Sequence, residues 1–358
     1  MIDLDDPTAY ASVDGRGFRD LLQGFAGQVA EAGRLADGLA LPGPSPRAVL
    51  VTGMGGSAAA GDFLQAVCQA EAPFPVVVLR GYRVPSWVGP ETLVIASSYS
   101  GDTEETVATF EEARTRGARA LVVSSGGLLG ERATRDGTPW IRVPPGLPPR
   151  AALPSLLVPM LVLLERAGAI APGAEDRREA VAVLMALGSE LEPDVPCREN
   201  PAKGLVKWAA DRTLVIYGAD MTAAVAYRWT TQIEENAKTL AFSGALPEMN
   251  HNAIEAWGLD ELGAWAVVLL RDVPEHPRVA RRVELTRAII GARAPTREVW
   301  SRGRSPLARL LSLTLIGDWV SYYLAIQRGV DPWAVGTLEG FKRSMARPGR
   351  VEAPSGSA

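Results

Sequence analysis

The 358-residue chain holds only two cysteines, Cys68 and Cys197, and only two histidines, His251 and His276. Neither cysteine belongs to a CxxC pair, which argues against a disulfide framework and fits a reducing compartment. A zinc centre usually takes two or three histidine or cysteine ligands, and this chain has no such set to offer. No metal is therefore expected, and the chemistry falls to carboxylates, one histidine, lysines or hydroxyls. Excess positive charge is missing as well: 37 Lys and Arg face 41 Asp and Glu, for a net charge of −4. That leaves no basic footprint for nucleic acid. The opening residues, MIDLDDPTAY, are acidic and lack the basic-then-apolar order of a signal peptide. The most apolar run, residues 153–164, is too short to span a bilayer and is interrupted by Pro154 and Pro159. No nucleic-acid or membrane partner is expected, and the expected location is cytoplasmic.

What the chain does have is a composition of 47% hydrophobic and 22% charged residues, enough for two domains with sizeable cores. Apolar positions at helical spacing predict an amphipathic helix over 18–38, within an N-terminal helical segment, 1–45. Strand-like runs follow at 48–52, 76–80, 93–97, 120–124 and 140–143. Helical patterns at 57–70 and 103–116 lie between them, and a long helix over 151–167 closes this half. Strands alternating with helices imply an α/β fold with an open, mostly parallel sheet flanked by helices. A Glu-, Pro- and Gly-rich linker is expected at 171–200, and then the pattern restarts. TLVIYGADMTAAVAYRWTTQI, from Thr213, echoes VLVTGMGGSAAAGDFL at an offset of 165, with Gly218 on Gly53 and Thr222 on Ser57. Further strands are expected at 264–270 and 297–300, with helices near 277–290 and 305–327. Two α/β domains of similar build, 46–170 and 201–330, are the expected architecture, followed by a C-terminal helix (331–347) and a disordered tail (348–358).

The first Gly-rich turn presents backbone N–H groups at the positive end of a helix, a ready phosphate site. Gly53-x-Gly55-x-x-Ala58 fits the loose dinucleotide fingerprint, but the second strand ends in Arg80 instead of the carboxylate that a ribose would need. A nucleoside triphosphate loop is excluded because no Gly-Lys-Ser/Thr follows. A second turn, IASSYSGDTEET, crowds Ser97, Ser98, Ser100 and Thr103 where a strand meets the next helix. A capped helix accounts for part of it, with Asp102 or Ser100 as N-cap and Glu104 and Glu105 at the positive end of the dipole. Four hydroxyls in one turn go beyond that. Together with Gly56 and Ser57 they are suited to hold a phosphate dianion without lysine, at the carboxyl edge of the sheet where open α/β folds bind ligands.

GMGGSAAAG and SSYSGDTEET resemble the two phosphate-binding signatures of sugar isomerase (SIS) domains. PPRAALPSLLVP around Arg150, QIEENAK around Glu235, PEMNHNAIEAW around His251 and the VDP…FK run ending at Lys342 resemble the bifunctional phosphoglucose/phosphomannose isomerase family. The resemblance spans about residues 47–345, with its motifs in family order. It implies two SIS-type domains, each an αβα sandwich, and a cofactor-free isomerase that interconverts glucose 6-phosphate and fructose 6-phosphate, and also mannose 6-phosphate. By the same resemblance Gly56, Ser57, Ser98, Ser100 and Thr103 bind the sugar phosphate, and Arg150 stabilises charge on the substrate oxygens. Glu235 is the base that moves a proton between C2 and C1. His251 assists ring opening from the neighbouring subunit of a homodimer, and Lys342, on the C-terminal active-site helix, acts near the ring oxygen.

Alternatives stay open in the residues themselves. Glu234 and Glu235 point about 100° apart on a helix, and periodicity does not choose between them. Arg150 fits an ordinary salt bridge at a helix start, Lys342 a surface position on an amphipathic helix, and His276 a surface position. The family continues Asn-His-Asn with glutamate, whereas Ala253 follows here. About two turns before the lysine the family places a small polar residue linked to the mannose epimer; here Val335 stands seven residues before Lys342, with Thr337 nearby, which puts mannose activity in question more than glucose activity. A non-catalytic sugar-phosphate sensor and an isomerase of another phosphosugar are the rival readings.

Overall fold

The computed structural model describes residues 2–259 and 263–345. The tail expected at 348–358, and residues 346–347 of the expected C-terminal helix, lie outside them. The chain opens with α1 (Pro7–Val13), α2 (Phe18–Gln23) and α3 (Phe25–Ala32), followed by a 3-10 turn over Gly33–Ala36. The single helix expected over 18–38 is thus divided. Gly24, which caps α2 and precedes α3, has the low helix propensity of glycine at the break.

Short runs of β-branched and leucine residues form the strands, because a parallel sheet covered on both faces buries nearly every position. β1 (Ala48–Thr52), β2 (Val76–Leu79), β3 (Thr92–Ser97), β4 (Arg119–Ser124) and β5 (Trp140–Arg142) make a parallel sheet in the order β2-β1-β3-β4-β5. All six residues of β3 are buried. A second parallel sheet holds β6 (Thr213–Ala219), β7 (Phe242–Leu246), β8 (Trp265–Arg271) and β9 (Thr296–Trp300), in the order β7-β6-β8-β9. With β1 matched to β6 and β2 to β7, the two orders coincide through four strands. The 165-residue echo is therefore a repeat of topology as well as of sequence.

Helices fill the crossovers. The first half carries α4 (Gly55–Cys68), α5 (Glu104–Thr115), α6 (Gly127–Asp136) and α7 (Leu153–Arg166). Next comes α8 (Ala174–Glu190), in the stretch expected as a linker. Its buried Ala180, Leu184 and Leu187 recur at helical spacing, and it packs on α3 and on the later α13. The unbroken apolar run from Ala180 to Leu187 hides the helical stripe in the sequence, and charged residues crowd the turns before it. The second half adds α9 (Pro201–Ala209), α10 (Met221–Ala237), the one-turn α11 (Ala253–Ala256), α12 (Pro277–Gly291), α13 (Pro306–Arg328) and α14 (Gly336–Met345).

The long α13 lies at the centre, buried almost all round from Leu307 to Gln327, and packs on α8, α9 and α10. Gly317 permits the closest approach, since a Cβ there would lie 2.1 Å from Trp229 Nε1 of α10. The Trp229 indole fills that space and donates to Leu313 O at 2.9 Å. One continuous apolar core runs from β1 and β3 through α4, α7, α10 and α13 to β6 and β8. The two halves therefore share a core. Among the described residues no helix is long and apolar enough to cross a membrane, and both cysteines are free.

Candidate active site

The order of the first sheet reverses between β1 and β3, and that crevice is where an open α/β sheet receives its ligand. Two helix N-termini open onto it. Neither N-cap, Met54 for α4 or Thr103 for α5, caps its helix with a side-chain hydrogen bond. Their first-turn N–H groups thus keep their capacity for an anion. Asp102 does not cap α5; its carboxylate instead accepts from Leu128 N at 2.9 Å and ties the turn to α6.

The hydroxyls of the two turns are held by local hydrogen bonds. Ser57, buried in the first turn of α4, accepts the backbone N–H of Tyr99 at 3.0 Å, which joins the two turns. Ser98 is buried, lies 2.8 Å from the Thr103 hydroxyl and accepts the Gly101 N–H at 3.1 Å. Ser100 is exposed and accepts the Asp102 N–H at 3.3 Å. Tyr99, whose role the sequence did not reveal, braces the next loop: its hydroxyl donates to Pro144 O (2.7 Å) and accepts Leu147 N–H (2.8 Å). Gly56 is the bridge to Arg150. A Cβ there would stand 2.8 Å from Pro149 O and 3.1 Å from Arg150 Cα, so only glycine lets the 3-10 turn Pro149–Ala151 sit against α4.

Arg150 is only 3% exposed, and four of its five N–H donors are engaged. Nε donates to Asn236 Oδ1 at 2.6 Å, and the two terminal nitrogens reach Glu235 Oε2 at 3.4 Å, Pro332 O at 2.7 Å and Trp333 O at 3.1 Å. The guanidinium carbon lies 5.3 Å from the centre of the Phe18 ring. Burial lowers the Arg150 pKa from its ordinary value, and the Glu235 carboxylate opposes that shift. The Glu235 side chain keeps 30% of its surface exposed, so its carboxylate stays open to solvent while its cationic partner is held from behind.

That backing comes from a polar stripe. Arg228, Gln232 and Asn236 recur every four residues on α10, one above the other on the same face. Arg228 donates to Arg150 O (2.9 Å) and to Asp318 Oδ2 (2.7 Å), and Gln232 donates to Asp318 Oδ1 (2.8 Å). Asn236 donates to Ser321 Oγ at 2.9 Å. All five side chains of this network are buried. The i, i+4, i+8 repeat of Arg, Gln and Asn along α10 was the available sequence signal.

The other two expected residues stand apart. His251 is exposed, at the end of a 3-10 turn over Glu248–His251 beyond the carboxyl end of β7. Glu235 sits near the end of α10, where the chain re-enters the second sheet at the amino end of β7. The direction of the strands therefore carries these two residues of one chain to opposite edges of that sheet. Lys342 is exposed on α14, no residue of which is buried. The segment leading into α14 does touch the site, through the Pro332 and Trp333 carbonyls. Among the described residues no group of three or more His, Cys, Asp or Glu side chains is arranged to hold a metal ion.

Residues 198–345 match the family model described as the bacterial phospho-glucose isomerase C-terminal SIS domain. The chain is 39% identical, over 302 residues, to a bifunctional phosphoglucose/phosphomannose isomerase of Caldicellulosiruptor bescii, covering 83% of this chain and 89% of that protein. It is 36% identical to the protein of the same name from Thermoplasma acidophilum, with the same two coverages. Among solved structures, a glucose-6-phosphate isomerase like protein from Thermus thermophilus is similar, with a TM-score of 0.63 and 25% identity. That likeness covers 96% of this chain and 99% of the other.

Proposed function

We propose that this chain, which belongs to the bifunctional phosphoglucose/phosphomannose isomerase family and is a sugar-phosphate isomerase, interconverts glucose 6-phosphate and fructose 6-phosphate. Mannose 6-phosphate is the second substrate. One observation carries the reading: a partly exposed carboxylate, Glu235, stands 3.4 Å from a buried guanidinium, Arg150, whose turn packs on Gly56 at the N-terminus of α4.

In the proposed reaction Gly56, Ser57, Ser98, Ser100 and Thr103 hold the phosphate, and the open-chain sugar extends toward Arg150. Glu235 takes the proton from C2 of the aldose as the C1 carbonyl oxygen gains one, giving a cis-enediol. The proton then returns to C1 as the O2 hydroxyl gives up its proton to become the ketone, which balances the proton gained at O1. Negative charge on the oxygens during these steps is met by Arg150, whose position is already fixed by its carbonyl and amide partners. Aldose and ketose are at the same oxidation level, so proton transfer alone suffices and no cofactor enters. Ring opening falls to His251 of a second copy, with Lys342 near the ring oxygen. The opposite placement of Glu235 and His251 within one chain supports a homodimer, and the free cysteines accord with a cytoplasmic location.

A coupled assay of the purified protein with glucose 6-phosphate, mannose 6-phosphate and arabinose 5-phosphate tests the reading. Turnover is expected on the first two, faster on the first because Val335 replaces a small polar residue. Binding of these sugars without turnover would mark a sensor, and turnover on arabinose 5-phosphate alone would replace the substrate.

A further inference from the structure

Lys238 breaks a local rule at the end of α10. It is the C-cap and lies in the left-handed region, at φ 52° and ψ 41°, where glycine or asparagine is usual. Its ammonium turns back to donate to the carbonyl oxygens of Glu235 and Asn236, both at 3.0 Å. Those carbonyls lie at the helix end, where intrahelical partners run out, and a cation there meets the negative end of the dipole. A third bond goes beyond capping: Nζ also donates to Asp331 O at 2.6 Å, across a gap of 93 residues in the chain.

Asp331 immediately precedes the two carbonyls, Pro332 and Trp333, that hold Arg150. Its own carboxylate accepts from Trp333 N and from Arg16, each at 2.8 Å, which fixes the turn. The contacts close into a ring that runs from the Glu235 backbone through Lys238 to Asp331. It then passes along the chain to Pro332, across to Arg150 and back to the Glu235 carboxylate. We infer that Lys238 is a positioning residue, which clamps the end of α10 to the 331–333 segment and so sets the Glu235 carboxylate against Arg150. The inference rests on the isomerase reading of that pair.

Four charged groups face the ammonium: Arg150 and Arg16 oppose its charge, and Asp331 and Glu235 favour it. Lys238 as a residue is exposed, and it is at the ammonium, turned in against three carbonyls, that desolvation, followed by Arg150, lowers the pKa to about 8. The ammonium supplies three N–H donors, one for each carbonyl, and a neutral amine has only two. The clamp therefore loses a donor as the pH rises through about 8, and kcat falls with it. Stability moves the other way. The folded value lies below the ordinary 10.5, so the folded state binds this proton less tightly, and the contribution of this group to stability rises with pH across that interval.

Lys238→Met and Lys238→Arg test the clamp in the full-length protein, by steady-state kinetics against pH and by hydrogen exchange of the Trp333 amide. Lys238→Met is expected to lower kcat roughly tenfold through misplacement of the base. KM should stay within about twofold, because the phosphate site is untouched. The fall in kcat near pH 8 should vanish, and exchange at Trp333 should quicken. Lys238→Arg should retain most of kcat and move the alkaline fall upward, since a guanidinium stays charged there. Unchanged kcat or unchanged Trp333 exchange in Lys238→Met overturns the inference, and so does a loss of kcat that arginine does not rescue. A wild-type protein without turnover would defeat the isomerase reading separately, and Trp333 exchange would still decide the clamp.

Discussion

Glu234 and Glu235 are neighbours in the chain, yet about 100° around α10 gives them different surroundings. Burial raises the pKa of Glu234, which accepts a hydrogen bond from the Ala241 backbone, whereas Glu235 faces Arg150. A glutamine at 235 keeps the size and hydrogen-bonding reach of the carboxylate but has no capacity to take a proton from carbon. Glu235→Gln is expected to lower kcat by about 10² to 10⁴-fold, the usual contribution of a general base, with a much smaller change in KM. Glu234→Gln is the control and should stay near wild type. The measurement is exchange at C2 of glucose 6-phosphate in deuterated water. If Glu234→Gln stopped exchange and Glu235→Gln did not, the base would be misassigned.

At the scale of elements, the site depends on how α10 lies against α13. Arg228 and Asp318 form an ion pair at 2.7 Å with both side chains 2% exposed, and Gln232 satisfies the second carboxylate oxygen. Truncating the anion would leave a guanidinium buried without its charge partner, directly behind Arg150. Asp318→Ala is expected to cost about 3–5 kcal/mol in chemical denaturation, the range for breaking one side of a buried pair. A loss below about 1 kcal/mol would mean that Arg228 finds water or another acceptor there. The strands of the first sheet were legible because each is a short apolar run ended by glycine, proline or a polar turn. β7 was not, since its FSGAL sequence at the edge of the second sheet has only one buried residue and the composition of a loop. Nor was α8, whose buried stripe lies in an unbroken apolar run (180–187) with no polar residue to mark its period.

At the scale of the whole molecule, the site as proposed is incomplete in one chain, because the second sheet separates Glu235 from His251. Each composite site then needs Glu235 from one copy and His251 from the other. Mixing Glu235→Gln with His251→Ala protein, each inactive alone, should restore activity at hybrid sites that carry both native residues. Random exchange would give hybrid dimers with one intact and one doubly altered site, so recovery of about a quarter of wild-type activity is expected if half the dimers are hybrids and one site of each works. Lack of recovery despite demonstrated subunit exchange would argue for sites built within single chains.

The sequence by itself determined the α/β alternation, the repeat at 165 residues and the two glycine- and hydroxyl-rich turns. All three are local, since a buried strand, a glycine turn and a cluster of hydroxyls are each written in about a dozen consecutive residues. The tertiary structure decided which glutamate meets the arginine, 85 residues apart in the chain, and which carbonyls hold that arginine, 182 and 183 residues away. It also decided that residues 174–190 join the core instead of linking two separate ones. These outcomes depend on where α10 and α13 come to rest against each other. That is fixed by the fit of Trp229 over Gly317 and the burial of Arg228 against Asp318, contacts that no stretch of sequence contains on its own.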